Sequence, residues 1–363
     1  MLSSHTTTTS VALLMAVLAV AGCDNKQSAA QKTNVTTIPM DLKSGDGVTA
    51  KVAEGPIVDN TLVSADSIKG IQNSEYVVKG TMKFDGWFLK ADKITFEPGA
   101  TLVFSRTALS NRRQFWVVAK ELVVMDAGNP GVITWEKGDI PMAPQAPGEA
   151  PSGPDATSNG QLGGQGNAGN KGSVGIAGAS APQITLVVLN VPGSGVTVDL
   201  SGGIGGQGGQ GMKGGRGGVG AGGDNASQTA VGCRHGAGSG GRGGQGGNGG
   251  EGGGGGIGGA GGTFLLVSES EMLPSLTQKF RVKVAAGTGG PGGPGGLRGD
   301  GGTGGSGGAD ARPFCQGSGS NGGVGAPGTA GAPGAPGGVG QEGDFTIGGA
   351  TKEQLKNYIW PSI

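Results

Sequence analysis

Glycine returns at every third residue through four long stretches of this chain. It occupies 202, 205, 208, 211, 214, 217, 220 and 223, and it recurs with the same spacing over 240–261, 287–308 and 322–343. Each of these runs is eight triplets long. A fifth covers 160–178 in seven triplets, and a weaker sixth precedes it with Gly138, Pro141, Pro144, Pro147 and Gly153 in one phase. A flexible linker has no reason to keep phase or to repeat its length. Three residues per turn is the period of the left-handed polyproline II helix. Such helices can pack side by side only where the residue facing a neighbour has no side chain, and glycine at every third position leaves one face bare. Over 240–261 each triplet reads Gly-Gly-x, so two faces are bare, which suits a helix with neighbours on several sides.

Residues 160–343 hold most of the 85 glycines and cannot build an ordinary core, because they have few side chains to bury. Order there has to come from backbone N–H···O bonds and close Cα–H···O contacts, set against glycine's large entropy loss. The runs come in pairs joined by short non-repeating segments, which predicts three hairpins: 138–178, 202–261 and 287–343. Their six arms are expected to form one polyglycine II bundle, each eight-triplet arm about 75 Å long at about 3.1 Å per residue. The stretch GAPGTAGAPGAPGGVG (325–340) resembles collagen, but proline is sparse except here and around 141–154, which argues against a collagen triple helix. The periodicity is similar to that of the glycine-rich bundles of certain phage tail-fibre adhesins and springtail antifreeze proteins. That resemblance covers about half the chain and implies architecture rather than function.

Strand-like segments flank every hairpin. Residues 132–135, 196–200 and 280–284 lead in, and 184–189, 263–267 and 344–347 lead out; all are short and rich in β-branched residues. Upstream, LKADKITFEPGATLVF (89–104) can be laid over VVAKELVVMDAGNPGVITW (117–135). Stacked units of this length resemble rungs of a parallel β-helix, with the hairpins inserted at one corner of successive rungs. The fold class expected is mainly β: a short parallel β-helix (alternative: a β-sandwich) with inserted polyglycine II hairpins forming a six-helix bundle.

At the N-terminus, residues 11–20 (VALLMAVLAV) form an apolar run of ten. That is too short to cross a bilayer as a helix, which takes about 20 residues, and has the length of a signal-peptide h-region. Val20-Ala21-Gly22-Cys23 follows and resembles the bacterial lipobox, which implies cleavage before Cys23 and acylation of its thiol. The match departs from the usual pattern in having no Lys or Arg before Cys23. Asp24 implies inner-membrane retention by the enteric rule; other bacteria follow other rules, so both membranes stay open. The expected organisation is a lipoprotein signal peptide (1–22), a lipidated tether (23–60), a β-helix-like base (61–137), the glycine-rich arms with their strands (138–349) and a tail with a short helix over 351–358 (350–363).

Little in the sequence points to catalysis. After Cys23 the one histidine is His235, beside Cys233 and Arg234 in a loop, so a Ser/His/Asp or Cys/His arrangement would have to use it. The many G-x-G-x-x-G matches come with the glycine tract and lack a strand–loop–helix setting. No metal-ligand spacing occurs, and no cofactor is expected. Asp126, Glu136 and Asp139 are carboxylates near one another in sequence, read as turn and cap residues. Arg298-Gly299-Asp300 lies within an arm and is read as chance. With 26 basic and 26 acidic residues the chain has no net pull toward nucleic acid.

The tips of the second and third hairpins, 224–239 and 309–321, carry Arg234, His235, Arg312 and Phe314, the candidate binding residues, for a surface glycan or protein. Cys233 and Cys315 are expected to pair. Export permits oxidation, and equal arms rising from neighbouring rungs end at equal height. The function expected is a non-enzymatic envelope lipoprotein, a spacer or adhesin held to a bilayer through Cys23. The rival is a carbohydrate-binding or carbohydrate-active β-helix, marked by carboxylates gathered on one face. Ice binding would want a flat face of regular Thr or Ala, whereas Gln207, Gln210, Arg216, Gln245, Asn248 and Glu251 are mixed and charged.

Overall fold

The computed structural model describes residues 42–53, 71–111, 114–144 and 148–359. The signal peptide, Cys23 and the first part of the tether lie outside them. In chain order the elements are β1 (Lys51–Val52), β2 (Ile71–Val78), β3 (Thr81–Phe84), β4 (Phe88–Phe96), β5 (Thr101–Phe104), α1 (Arg106–Asn111), β6 (Gln114–Val124), β7 (Val132–Trp135), β8 (Gln183–Asn190), β9 (Thr197–Asp199), β10 (Ser227–Thr229), β11 (Gly232–His235), β12 (Thr263–Glu269), α2 (Leu273–Thr277), β13 (Arg281–Lys283), β14 (Asp344–Ala350) and α3 (Lys352–Ile359). The helix expected over 351–358 is α3.

The protein is mainly β. A seven-stranded sheet has the order β1-β14-β12-β8-β6-β4-β2, and a five-stranded sheet the order β13-β9-β7-β5-β3. From β2 to β9 the chain alternates between the two sheets, and every ladder within them is parallel. Sandwich domains are built from antiparallel sheets, so the β-sandwich alternative does not fit this pairing. The sequence overlay is reproduced as register: Leu89 stands opposite Val117 and Phe104 opposite Trp135.

The register stacks like on like. Leu102, Ile133, Val198 and Val282 form one column across four strands, and all are buried. Phe104 stacks on Phe115 with centroids 4.5 Å apart, and Phe264 on Phe345 at 5.4 Å. Each such side chain contributes about 1.5–3 kcal/mol on burial, so the base is where this chain keeps its hydrophobic core.

The tether expectation needs correction over 42–53. Leu42 and Ala50 are buried in the core, β1 pairs in parallel with β14, and the Ala53 N–H donates to Ile347 O at 2.8 Å. The Asp46 carboxylate accepts the Val282 N–H, with its two oxygens 3.1 and 3.0 Å away. Strand β13 is the edge of its sheet, where backbone donors otherwise lack a strand partner. The segment supplies one.

Glycine-rich segments leave the base after β7, β9 and β13 and return to β8, β12 and β14. The outgoing segments 148–156, 202–223 and 285–308 bond to one another in parallel, as in Ala150 N to Lys213 O and Gly205 N to Thr288 O, both 2.9 Å. The returning segments 160–181, 238–262 and 319–343 do the same, as in Gly166 N to Gln245 O at 2.8 Å and Gly246 N to Ala326 O at 2.9 Å. Antiparallel bonds join the two sets, among them Gly206 N to Ile176 O at 2.8 Å and Gly328 N to Gly299 O at 3.0 Å. Segments 202–223 and 238–262 each bond to four others, whereas 319–343 bonds to two. The Gly-Gly-x run thus lies where neighbours are most numerous, and the Gly-x-x run of 319–343 at the margin.

Candidate functional site: the hairpin tips

The backbone bonds bring the ends of the second and third hairpins to one level. Gly238 N donates to Asp224 O at 2.8 Å, and Gly308 N to Gly238 O at 2.9 Å. Beyond that level the chain stops repeating. Residues 227–235 form the antiparallel ribbon β10–β11, and 311–315 close a tight loop through reciprocal Ala311 and Cys315 backbone bonds of 2.9 and 2.7 Å.

Three features tie the two tips together. Cys233 and Cys315 form a disulfide with Cα atoms 4.9 Å apart. Asn225 Oδ1 accepts the Ala309 N–H at 2.8 Å. The Gln228 amide grips the third tip from both ends, donating through Nε2 to Arg312 O and accepting the Phe314 N–H at 3.1 Å. The sequence pointed to the cysteines. It gave no reason to single out Asn225 or Gln228, whose partners are backbone atoms more than 80 residues away.

Arg234, His235, Arg312 and Phe314 all lie in this joined unit and are exposed. The His235 ring nitrogen Nδ1 is 3.1 Å from Gly236 O. Arg312 donates to Asp310 at 2.9 Å, and that bond raises the guanidinium pKa further. Phe314 and Val231 expose 46% and 89% of their surface. The tip therefore offers cationic groups beside apolar ones, set on a backbone fixed by covalent and hydrogen bonds.

The carboxylates weighed for catalysis have local duties. Asp126 accepts the Gly128 N–H at 2.8 Å within a turn. Glu136 takes a 2.7 Å bond from Lys83 and a 3.0 Å bond from the Arg106 N–H; the Lys83 bond first and the Arg106 bond second hold its pKa low. Asp139 is exposed beyond the end of β7. Arg298-Gly299-Asp300 runs inside a bonded arm, where Gly299 N donates to Gly247 O and Asp300 O accepts from Gly217 N, both 2.9 Å. Among the described residues, no three or more His, Cys, Asp or Glu are grouped to hold a metal, and no helix is long and apolar enough to cross a membrane.

No family model matches the chain, and no curated protein does. Among solved structures it is similar to an antifreeze protein of the springtail Granisotoma rainieri, described as a nine polyproline type II helical bundle, with 28% identity over 54% of this chain and 94% of that chain and a TM-score of 0.10.

Proposed function

We propose that this chain is a non-enzymatic envelope lipoprotein, anchored through acylated Cys23, in which a short parallel β-helix carries a six-armed polyglycine II bundle and presents its tip loops as a spacer or adhesin. The lipobox-like Val20-Ala21-Gly22-Cys23 supports the anchor. The alternation of strands between two parallel sheets supports the β-helix, and the N–H···O bonds that recur at every third residue support the bundle.

The observation that carries the functional reading is the joining of the tips. Two loops that are 82 residues apart at their cysteines are locked to each other by a disulfide and by the Gln228 and Asn225 side chains. Joining loops at the far end of a stiff scaffold preorganises a surface and lowers the ordering cost of binding. Cells displaying the full chain should adhere to a panel of immobilised glycans and envelope proteins, and a variant with Arg234, His235, Arg312 and Phe314 all changed to Ala should lose that adhesion while melting at the same temperature. Equal adhesion by both would remove the tips from the function. Cys23→Ser should move the protein from the detergent phase to the aqueous phase, and a wild type already fully aqueous would end the lipoprotein reading.

A further inference from the structure

The returning segment 319–343 differs from its neighbours in what it shows to solvent. Its backbone bonds go only to 238–262 and 284–308, so its remaining faces are open. One exposed column runs Val324, Pro327, Ala330, Pro333, Pro336, Val339. A second, beside it, holds Ala326, Thr329, Ala332 and Ala335, also exposed. No charged residue occurs from 322 to 341. Other segments spend their outward positions on pairs such as Lys213–Glu149 and Lys171–Glu251. Val324 and Val339 expose 64% and 69% of their surface, and a long uncharged strip of this kind marks an interaction surface.

We infer that this strip is the contact face of a second copy of the chain, packed antiparallel. The first column reads nearly the same in both directions. Turned about a two-fold axis, Val324 meets Val339, Pro327 meets Pro336 and Ala330 meets Pro333, which is the self-complementarity an isologous contact requires. The prolines have no N–H to donate, so the contact is made by side-chain packing and not by extending the backbone bonds to a further arm. The balance of 26 basic and 26 acidic residues leaves no net repulsion between copies. From Val324 to Val339 the strip is about 47 Å long. At a width of about 10 Å it buries about 1,000 Å² over both copies, at the low end for a specific complex. A contact this small is typical of weak, reversible association. It needs neither the anchor nor the tips.

Sedimentation of the full chain carrying Cys23→Ser, which cannot be acylated, tests this. The protein should pass from monomer to dimer as its concentration is raised. Ala330→Asp, an outward change that leaves the melting temperature unaltered, should keep it monomeric throughout. Under non-reducing conditions a mixture of Val324→Cys and Val339→Cys proteins should cross-link, and neither alone should. A monomer at every concentration overturns the proposal and leaves the strip to a foreign partner. Dimerisation by Ala330→Asp moves the contact elsewhere, and self-linking of Val324→Cys overturns the antiparallel arrangement.

Discussion

Cys233 and Cys315, 82 positions apart in sequence, covalently join the tips of two hairpins, with Cα atoms 4.9 Å apart. The closed loop is long, and the chain-entropy model gives about 4.5 kcal/mol for it as an upper estimate. Reduction, or Cys233→Ser with Cys315→Ser, should lower stability by about 2–4 kcal/mol. The Gln228 and Asn225 bonds remain to hold the tips in register. Thiol labelling of the folded, unreduced protein should find neither cysteine reactive; labelling of both would contradict the pairing.

Asp46 receives the Val282 N–H with both carboxylate oxygens. Removing a charged acceptor from a backbone donor costs about 1.5–3 kcal/mol. Asp46→Ala should lower the unfolding free energy by that amount in a denaturant titration. A silent substitution would mean that residues 42–53 are an appendage and not the closing turn of the base.

What was legible in the sequence was whatever repeats. The triplet period marked the arms, and the overlay of 89–104 on 117–135 gave the register that puts Leu89 opposite Val117. The closing segment was hidden because the alternation of Val48, Ala50 and Val52 is too brief to stand out, following two glycines in a stretch otherwise read as a tether. The neighbour of each arm was hidden for a different reason. A triplet repeat offers the same bonds after a slip of three residues, so the backbone cannot specify its own partner. Register falls to the base strands, to the tip, and to scattered contacts such as Lys213–Glu149 and the Asn248 side chain on the Thr329 N–H. Gln228 escaped notice because nothing nearby in sequence says which backbone atoms it will meet.

Asp199 connects base and arm. Burial pushes its carboxyl upward, but bonds from Ser201 and the charge and bond of Lys137 outweigh this, and the pKa lies below the ordinary value. A carboxylate depressed in the folded state contributes stability that is fully present above its unfolded pKa, about 3.9, and is lost as pH falls through the folded value. Asp199→Asn should therefore melt below wild type at neutral pH, and the gap should close as the pH drops below about 4. A gap that stays constant into acid would assign the loss to packing and not to charge.

Two glycines in the run 240–261 separate a packed bundle from a linker. A Cβ at Gly246 would overlap the carbonyl oxygen of Gly299, whereas one at Gly254 would find its nearest atom, Ala335 O, at 3.7 Å. Replacing glycine by alanine restricts the unfolded chain equally at both sites and favours folding by about 0.4–1 kcal/mol. That contribution cancels in the comparison, so the difference between the variants reports the folded state alone. Gly254→Ala should be neutral or stabilising. Gly246→Ala must push two hydrogen-bonded segments apart, and overpacking of this kind costs about 1–3 kcal/mol, with weakening of the Gly246 N–H bond to Ala326 O and of the adjacent Gly299 N–H bond to Gly247 O added. The two melting temperatures should differ by several degrees in that order. Equal melting of the two variants would mean that the triplets do not pack, and would remove the scaffold on which the tips are held.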